Sequence, residues 1–249
     1  MKTVKIDNLI IGEGLPKIIV PLVAKTETEI LEEARFLATV DCDIIEWRID
    51  FFEKVSDFKA TAVLSQQVKQ LVEKPLLITF RSQREGGVTE LTDEAYFSLY
   101  QEIVAEGAFD LLDVELFMPT VKVTALIAAV HEKGEKVILC NHDFQKTPAK
   151  NEIIDRLRKM QALQADICKI AVMPEKPADV LTLLAATQEM NQRYAEVPLI
   201  TISMGKLGEI SRIAGNTFGS AATFGVAKKA SAPGQIPVAD LRIILNTLQ

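Results

Sequence analysis

From Lys17 onward the chain alternates short apolar runs, rich in β-branched residues, with longer stretches whose apolar positions recur every three to four residues. A brief apolar run bounded by Gly, Pro or Asn reads as a buried strand, and a 3.6-residue period reads as an amphipathic helix. The pattern predicts strands at 17–22, 43–49, 76–81, 110–115, 136–141, 167–173, 198–204 and 221–225. Between and after them it predicts helices at 27–40, 57–73, 92–106, 120–133, 150–164, 177–195, 207–214 and 237–248. Residues 3–13 alternate polar and apolar on either side of Asp7-Asn8, which predicts a β-hairpin ahead of the main pattern. Thr92 before Asp93-Glu94 has the form of a helix N-cap followed by acids that complement the helix dipole, and Gly134 after His131-Glu132-Lys133 that of a C-cap. Pro75, Pro119, Pro148, Pro198 and Pro237 fall at element edges, where a missing N–H costs no ladder or helix bond. No linker or low-complexity segment divides the chain, so residues 1–249 are read as a single domain.

Eight consecutive β-α units call for parallel strands joined by right-handed crossovers. They close most economically into an α/β fold of the (β/α)8 TIM-barrel type, with the N-terminal β-hairpin as a cap; an open doubly wound sheet is the alternative. In a barrel the catalytic groups come from the C-terminal ends of several strands, so polar residues are expected to gather there. They do. By the period of two, Glu46 and Arg48 share a face of the second strand, as do Thr79 and Arg81 on the third, which runs into Ser82–Gly87. The fourth strand ends in Asp113-Val114-Glu115, the fifth in Asn141-His142-Asp143, and the sixth carries Lys169 in the run Ile167–Met173. Ser203-Met204 and Arg212 follow the seventh, and Lys228–Gln235 follow the eighth.

Lys169 is the residue that an apolar strand least accommodates. Burial disfavours an ammonium, and a lysine that is neutral near pH 7 is a nucleophile suited to forming an imine with a carbonyl. The same position also suits a lysine that snorkels past a strand end or pairs with a buried carboxylate. Glu46 and Arg48 likewise fit a structural ion pair, Arg81 and Arg212 fit solvated cations, and His142 fits a turn histidine. Cys140 and His142 share parity, but Cys140 reads better as a small layer residue than as a nucleophile. Asp113 and Glu115 are a carboxylate pair of the kind that holds a hard cation, yet the nearby arginines and Lys169 would compete for the same oxygens.

Composition narrows the field. The net charge of −6 gives no basic field for nucleic acid or an acidic membrane surface, so an anionic ligand would need a local cluster of cations. Three cysteines without a C-x-x-C pair fit reduced thiols in a cytoplasmic protein, and two histidines are too few for a His-rich metal centre; His131 sits in a Glu/Lys-rich helical stretch and reads as surface. The N-terminal lysines lack an apolar region behind them, which argues against a signal peptide, and the run Ile18–Ala24 is too short to span a bilayer.

Taken together, Thr79-Phe80-Arg81-Ser82 with Glu85-Gly86-Gly87, Asp113-Val114-Glu115-Leu116, Val137–Asp143 and Lys169–Pro174 resemble the type I 3-dehydroquinate dehydratases. The resemblance continues through Ser203-Met204-Gly205, Ile210-Ser211-Arg212, Gly219–Phe224 and Ser231–Gln235, and so covers the chain after the hairpin. It implies a homodimeric (β/α)8 barrel that converts 3-dehydroquinate to 3-dehydroshikimate and water without metal or cofactor. It further implies that Lys169 forms the imine, that His142 is the general acid and base, and that Glu85 orients His142. Arg212, Ser231 and Gln235 would hold the substrate carboxylate; Glu46, Arg48 and Arg81 would meet ring hydroxyls or balance charge; Met204 and Phe224 would be apolar walls. Arg48, Arg81 and Arg212 would also surround the Lys169 amine with positive charge, and the loop from Lys228 to Gln235 is expected to be a mobile lid. Two other readings of the same residues are a Schiff-base aldolase, although the late strands offer a carboxylate-like rather than a phosphate site, and a non-catalytic metabolite-binding barrel.

Overall fold

A computed structural model describes residues 3–248. Strands β1 (Val4–Ile6) and β2 (Leu9–Ile11) form the expected antiparallel hairpin, with Asp7 in the left-handed region (φ 49°) at its turn. A short polar side chain that can bond its own backbone makes aspartate one of the few residues to tolerate that conformation. Eight parallel strands follow: β3 (Lys17–Leu22), β4 (Ile44–Arg48), β5 (Leu76–Thr79), β6 (Leu111–Glu115), β7 (Lys136–Asp143), β8 (Ile167–Val172), β9 (Leu199–Ser203) and β10 (Ala222–Val226). Each pairs with its predecessor from β3 to β9, and β10 returns to pair with β3, Ala222 lying opposite Lys17. One parallel bridge, Leu199 to Ser220, joins β9 to the approach of β10, and the Ala221 N–H donates to the Leu199 carbonyl at 2.7 Å. The barrel is therefore closed, as the alternation of elements predicts.

The helices α1 (Glu27–Ala38), α2 (Phe58–Val72), α3 (Asp93–Glu106), α4 (Thr120–Glu132), α5 (Lys150–Ala162), α6 (Pro177–Arg193) and α7 (Glu209–Phe218) connect successive strands, and α8 (Val238–Thr247) ends the described chain. Thr92 caps α3 by accepting from the Ala95 N–H at 3.2 Å, and Gly134 adopts φ 85° just past α4. Most boundaries fall within a residue or two of expectation, and three differences bear on the site. Strand β5 stops at Thr79, so Arg81 lies in the segment that leaves the barrel. Strand β7 runs on to Asp143 because β8 still offers partners, His142 pairing with Ala171 and Asp143 with Val172. Helix α7 begins after a 3-10 turn at Lys206–Gly208 and continues to Phe218, where Gly219 (φ 110°) ends it. A two-residue strand, β11 (Ile236–Pro237), pairs with β10 and was not predicted.

Side-chain alternation divides the core into two parts. Outward residues such as Val20, Trp47, Ile78, Val114, Leu139 and Ile170 pack under the helices. Inward residues Ile19, Ile44, Leu77, Leu111, Ile138, Ile167, Ile200 and Ala222 form a second cluster, against which Val4, Ile6 and Ile11 of the hairpin are buried. Most of these inward residues sit early in their strands, so the hairpin plugs the N-terminal end and gives the barrel an apolar floor. Above that floor the inward positions turn polar. Among the described residues no helix is long and apolar enough to cross a membrane.

Candidate active site

Period-two alternation carries Glu46 and Arg48 of β4, Asp113 and Glu115 of β6, Cys140 and His142 of β7, and Lys169 and Ala171 of β8 to the barrel interior. Above the floor lies a cavity. Its walls contain Glu46, Arg48, Arg81, Glu85, His142, Lys169, Met204, Arg212, Phe224, Ser231 and Gln235, all the residues expected to form a site. Gly86, Phe144, Ala171, Ile202 and Ala232 complete the lining.

Lys169 is only 4 % exposed. Its Nζ lies 2.9 Å from Asp113 Oδ2 and 3.9 Å from Glu46 Oε1, and 4.5 Å from the centre of the Phe224 ring. The fully buried Asp113 also accepts from Arg81 Nη2 at 2.6 Å and from the Cys140 thiol at 2.9 Å. Burial works against this carboxylate, but Arg81 and Lys169 outweigh it and hold Asp113 below the usual carboxylate range. The charges in contact with the amine are thus carboxylates, which the sequence reading did not place there, while Arg48, Arg81 and Arg212 line the same cavity. The physical reason is that β6 directs two acids inward, so that Asp113 contacts Arg81 and Lys169 at once.

The arginines are themselves engaged. Arg81 Nη1 lies 3.1 Å from Glu115 Oε1 and 3.6 Å from Glu85 Oε2. Arg48 makes a two-pronged bond to the fully buried Asp50, at 2.7 and 2.8 Å. Asp50 also accepts from the Val88 N–H at 3.3 Å, and its carbonyl accepts from the Thr89 hydroxyl at 2.6 Å, which ties the loop after β5 to β4. Asp50 was missed in the sequence, although its parity with Arg48 was an available signal.

Glu85 Oε2 accepts from the His142 backbone N–H and contacts the ring Nδ1, both at 2.9 Å, while Oε1 accepts from Asn141 Nδ2 at 3.0 Å. Burial and the neighbouring Glu115 push Glu85 above the usual carboxylate range against the pull of Arg81, and burial with Arg81 and Lys169 pushes His142 well below the usual imidazole range. Phe144 stacks beside the His142 ring, 6.4 Å between centres. Its ring fills the space where any side chain at Gly86 (φ 87°) would lie.

Arg212 reaches the cavity from α7 and is 2 % exposed. Its Nη2 donates to the Pro233 carbonyl at 2.9 Å, but its Nε has no partner among the described residues. Burial lowers this guanidinium to about 10, with Glu209 giving a partial offset. Above it the Lys228–Gln235 loop is seated over the mouth. The Ser231 N–H donates to Gln235 Oε1 at 3.0 Å, Gln235 Nε2 donates to Ser231 Oγ at 3.2 Å, and the Gly205 N–H donates to the Pro233 carbonyl at 3.2 Å.

Donor atoms of Glu85, Cys140 and His142 lie within 4.8 Å of one another, close enough for a metal. Arg81 Nη1 sits 3.0 Å from Cys140 Sγ and 3.6 Å from Glu85, however, so a guanidinium already takes the cation's place. Cys140 is a buried link between Arg81 and Asp113, and burial pushes its thiol well above the ordinary range, which disfavours the thiolate a nucleophile needs. His131 lies outside the cavity lining and pairs with Asp166 at 2.8 Å.

Residues 18–249 match the family model described as type I 3-dehydroquinase. The chain is 56 % identical over 250 residues to a 3-dehydroquinate dehydratase of Enterococcus faecalis, covering 100 % of this chain and 99 % of that protein. It is 53 % identical to one from Salmonella agona, covering the same shares. Among solved structures it is similar to a type I 3-dehydroquinate dehydratase from Clostridium difficile with covalently modified comenic acid. That similarity has a TM-score of 0.96 at 48 % identity and covers 100 % of this chain and 98 % of the other.

Proposed function

The chain belongs to the type I 3-dehydroquinase family, and from that premise we propose that it eliminates water from 3-dehydroquinate through an imine on Lys169, giving 3-dehydroshikimate in the shikimate route to aromatic amino acids. The observation that carries the reading is a buried lysine facing the same cavity as a histidine whose Nδ1 is engaged by a carboxylate.

The chemistry follows from the difficulty of removing a proton beside a ketone in neutral water. Lys169, once its ammonium has given up a proton, adds through its amine to the ketone carbon and water leaves, giving an iminium that withdraws electrons from the adjacent carbon–hydrogen bond. His142 takes the C2 proton through Nε2, and the bonding pair moves into an enamine. The enamine expels the C1 hydroxyl, to which His142 returns a proton, so that the departing group is water. A second water then hydrolyses the conjugated iminium, releasing product and the free amine. One imidazole serves as base and acid because it faces both atoms in turn. Glu85, contacting Nδ1, fixes the ring and stabilises the imidazolium formed in between.

Arg212 fits the carboxylate of the substrate because it is a buried cation with an unpartnered Nε, next to the Ser231 and Gln235 amide and hydroxyl groups. An anion there would complete a charge-assisted bond that the protein alone leaves unmade. Arg48, Arg81 and Glu46 are the groups for the ring hydroxyls and the charge balance around the amine, with Met204 and Phe224 as walls. The reading carries with it a cytoplasmic homodimer that uses neither metal nor cofactor and has no nucleic-acid partner, in keeping with the net charge of −6.

Borohydride reduction in the presence of 3-dehydroquinate tests the assignment. A mass increase on the peptide containing Lys169, together with growth of the enone absorbance in unreduced samples, is the expected result. Turnover without a trapped adduct, or an adduct on Lys228 or Lys229, would overturn it.

A further inference from the structure

We infer that Arg156, a residue of α5 outside the cavity, is a positioning residue for the acid–base pair: acting through Asn141, it selects which ring nitrogen of His142 carries the hydrogen. The inference rests on the proposed role of His142 and goes beyond it.

The argument is one of donors and acceptors. A guanidinium can only donate, so the 2.7 Å contact from Arg156 Nη1 fixes the Asn141 carbonyl oxygen toward the helix. The amide nitrogen must then face the other way, and it does, donating to Glu85 Oε1 at 3.0 Å. The Glu85 Oε2 atom is in turn claimed by the backbone N–H of His142 at 2.9 Å. Both oxygens therefore accept fixed hydrogens, an arrangement that favours the ionised carboxylate. The remaining contact is Oε2 with His142 Nδ1 at 2.9 Å, and an ionised Glu85 can only accept there. In that ionised form Nδ1 carries the hydrogen, which leaves the Nε2 lone pair free to take a proton from carbon.

Removing Arg156 frees the amide of the buried Asn141 to turn. Turned away from Oε1, the amide no longer donates to Glu85, which then binds a proton more readily and can carry it on Oε2. A protonated Glu85 can donate from Oε2 to Nδ1 instead, which puts the ring hydrogen on Nε2 and makes His142 unable to act as a base. The other charged groups that act on the pair are Arg48, Arg81, Lys169, Asp113 and Glu115, and none of them touches Asn141. Arg156 is itself held in place by Glu152 one turn earlier, by Asp143 at 3.8 Å, and by the Phe117 ring, 5.4 Å from its guanidinium carbon.

The protein has only two histidines, so nitrogen-15 labelling of histidine reads the His142 tautomer directly once a His131→Gln variant assigns the other ring. The parent should show hydrogen on Nδ1. Arg156→Met should raise the share with hydrogen on Nε2 and shift the acid limb of kcat/KM upward by about one pH unit, the scale of a lost bond to a charged acceptor. Arg156→Lys should restore much of the parent behaviour, and Glu152→Gln, which removes only the outer partner, should match the parent at every pH. Asn141→Ala deletes the link itself and should reproduce the Arg156→Met result, which covers the case in which Arg156→Met does not fold. Parent-like tautomer and pH profile in whichever of the two variants folds would overturn the inference. The tautomer measurement needs no turnover, whereas His142→Ala with normal turnover would remove the acid–base reading itself.

Discussion

Asp113→Asn keeps the shape of a fully buried side chain and removes the negative charge that Lys169 and Arg81 share. At the 2.9 Å separation of Lys169 Nζ from Asp113 Oδ2, an effective dielectric of about 20 gives a gross attraction of about 6 kcal/mol. The asparagine returns a neutral hydrogen bond. Lys169 also retains Glu46 at 3.9 Å, and Arg81 retains Glu115 at 3.1 Å. The net loss should fall at the low end of the range for breaking a buried pair, about 3 kcal/mol. Urea unfolding followed by the fluorescence of Trp47, the only tryptophan and fully buried, reads this directly. For a chain of this size the same loss corresponds to a melting temperature lower by roughly 6–12 °C. Because the native state holds Asp113 below its unfolded pKa, the stabilisation is present in full above about pH 3.9 and fades as the pH falls below it. Adding Lys169→Met removes the stranded ammonium and should recover at least about 1.5 kcal/mol in a double-mutant cycle. A single variant within about 0.5 kcal/mol of the parent, or a cycle with no coupling, would refute the charge-sharing argument.

Three further outcomes are expected. In Gly234→Ala the new Cβ would lie 2.5 Å from the Gly205 carbonyl oxygen, at a backbone φ of 76°; the docked loop should lift, and kcat/KM should fall by at least about tenfold, or 1.4 kcal/mol, while global stability hardly changes. An unchanged kcat/KM would show that the loop position is irrelevant. Asp50→Asn weakens both prongs holding Arg48, so KM for 3-dehydroquinate should rise by roughly fivefold, about 1 kcal/mol, and unaltered kinetics would mean that Arg48 does not meet substrate. Turnover of the parent should decline on the acid side through a titration above the free carboxyl value of about 4.3, because Glu85 is raised and the pair gains its proton as the pH falls. In Glu85→Gln that limb should move to lower pH, leaving an imidazole whose own affinity for protons is depressed by burial; a limb that stays in place would separate Glu85 from the titration.

Local alternation explains why so much of the site was readable in the chain. Glu46 with Arg48, Asp113 with Glu115, and His142 with Cys140 are inward for the same reason that Ile44, Leu111 and Ile138 are: the parity of each strand is set by its outward face under the helices. Contacts between strands were less legible. The side chains of Asp113 and Lys169 meet inside the barrel across the intervening β7 but stand 56 residues apart in sequence, and no local pattern announces that contact. Arg156 was invisible because a lone cation on an amphipathic helix carries the same signature as solvent-facing surface. Phe144 and Gly86 are a matched pair across two loops, and only the three-dimensional approach makes the glycine necessary.

The pairing of β10 with β3 has a consequence for how the protein is made. Its partners stand about 200 residues apart, Lys17 opposite Ala222, and Arg242 of α8 clamps back on Asp41 and Asp43. At roughly 5–20 residues per second, a ribosome needs on the order of 10–40 seconds to bring the last barrel strand out after the first. Throughout that interval β3 has a free edge of unpaired N–H and C=O groups, beside strands rich in Ile, Leu and Val, which is the form of backbone most prone to pair with another chain. A transcript that ends before β10 would therefore yield an adhesive fragment rather than a weakened enzyme, and the nascent barrel is a natural client for chaperones until its final strand arrives.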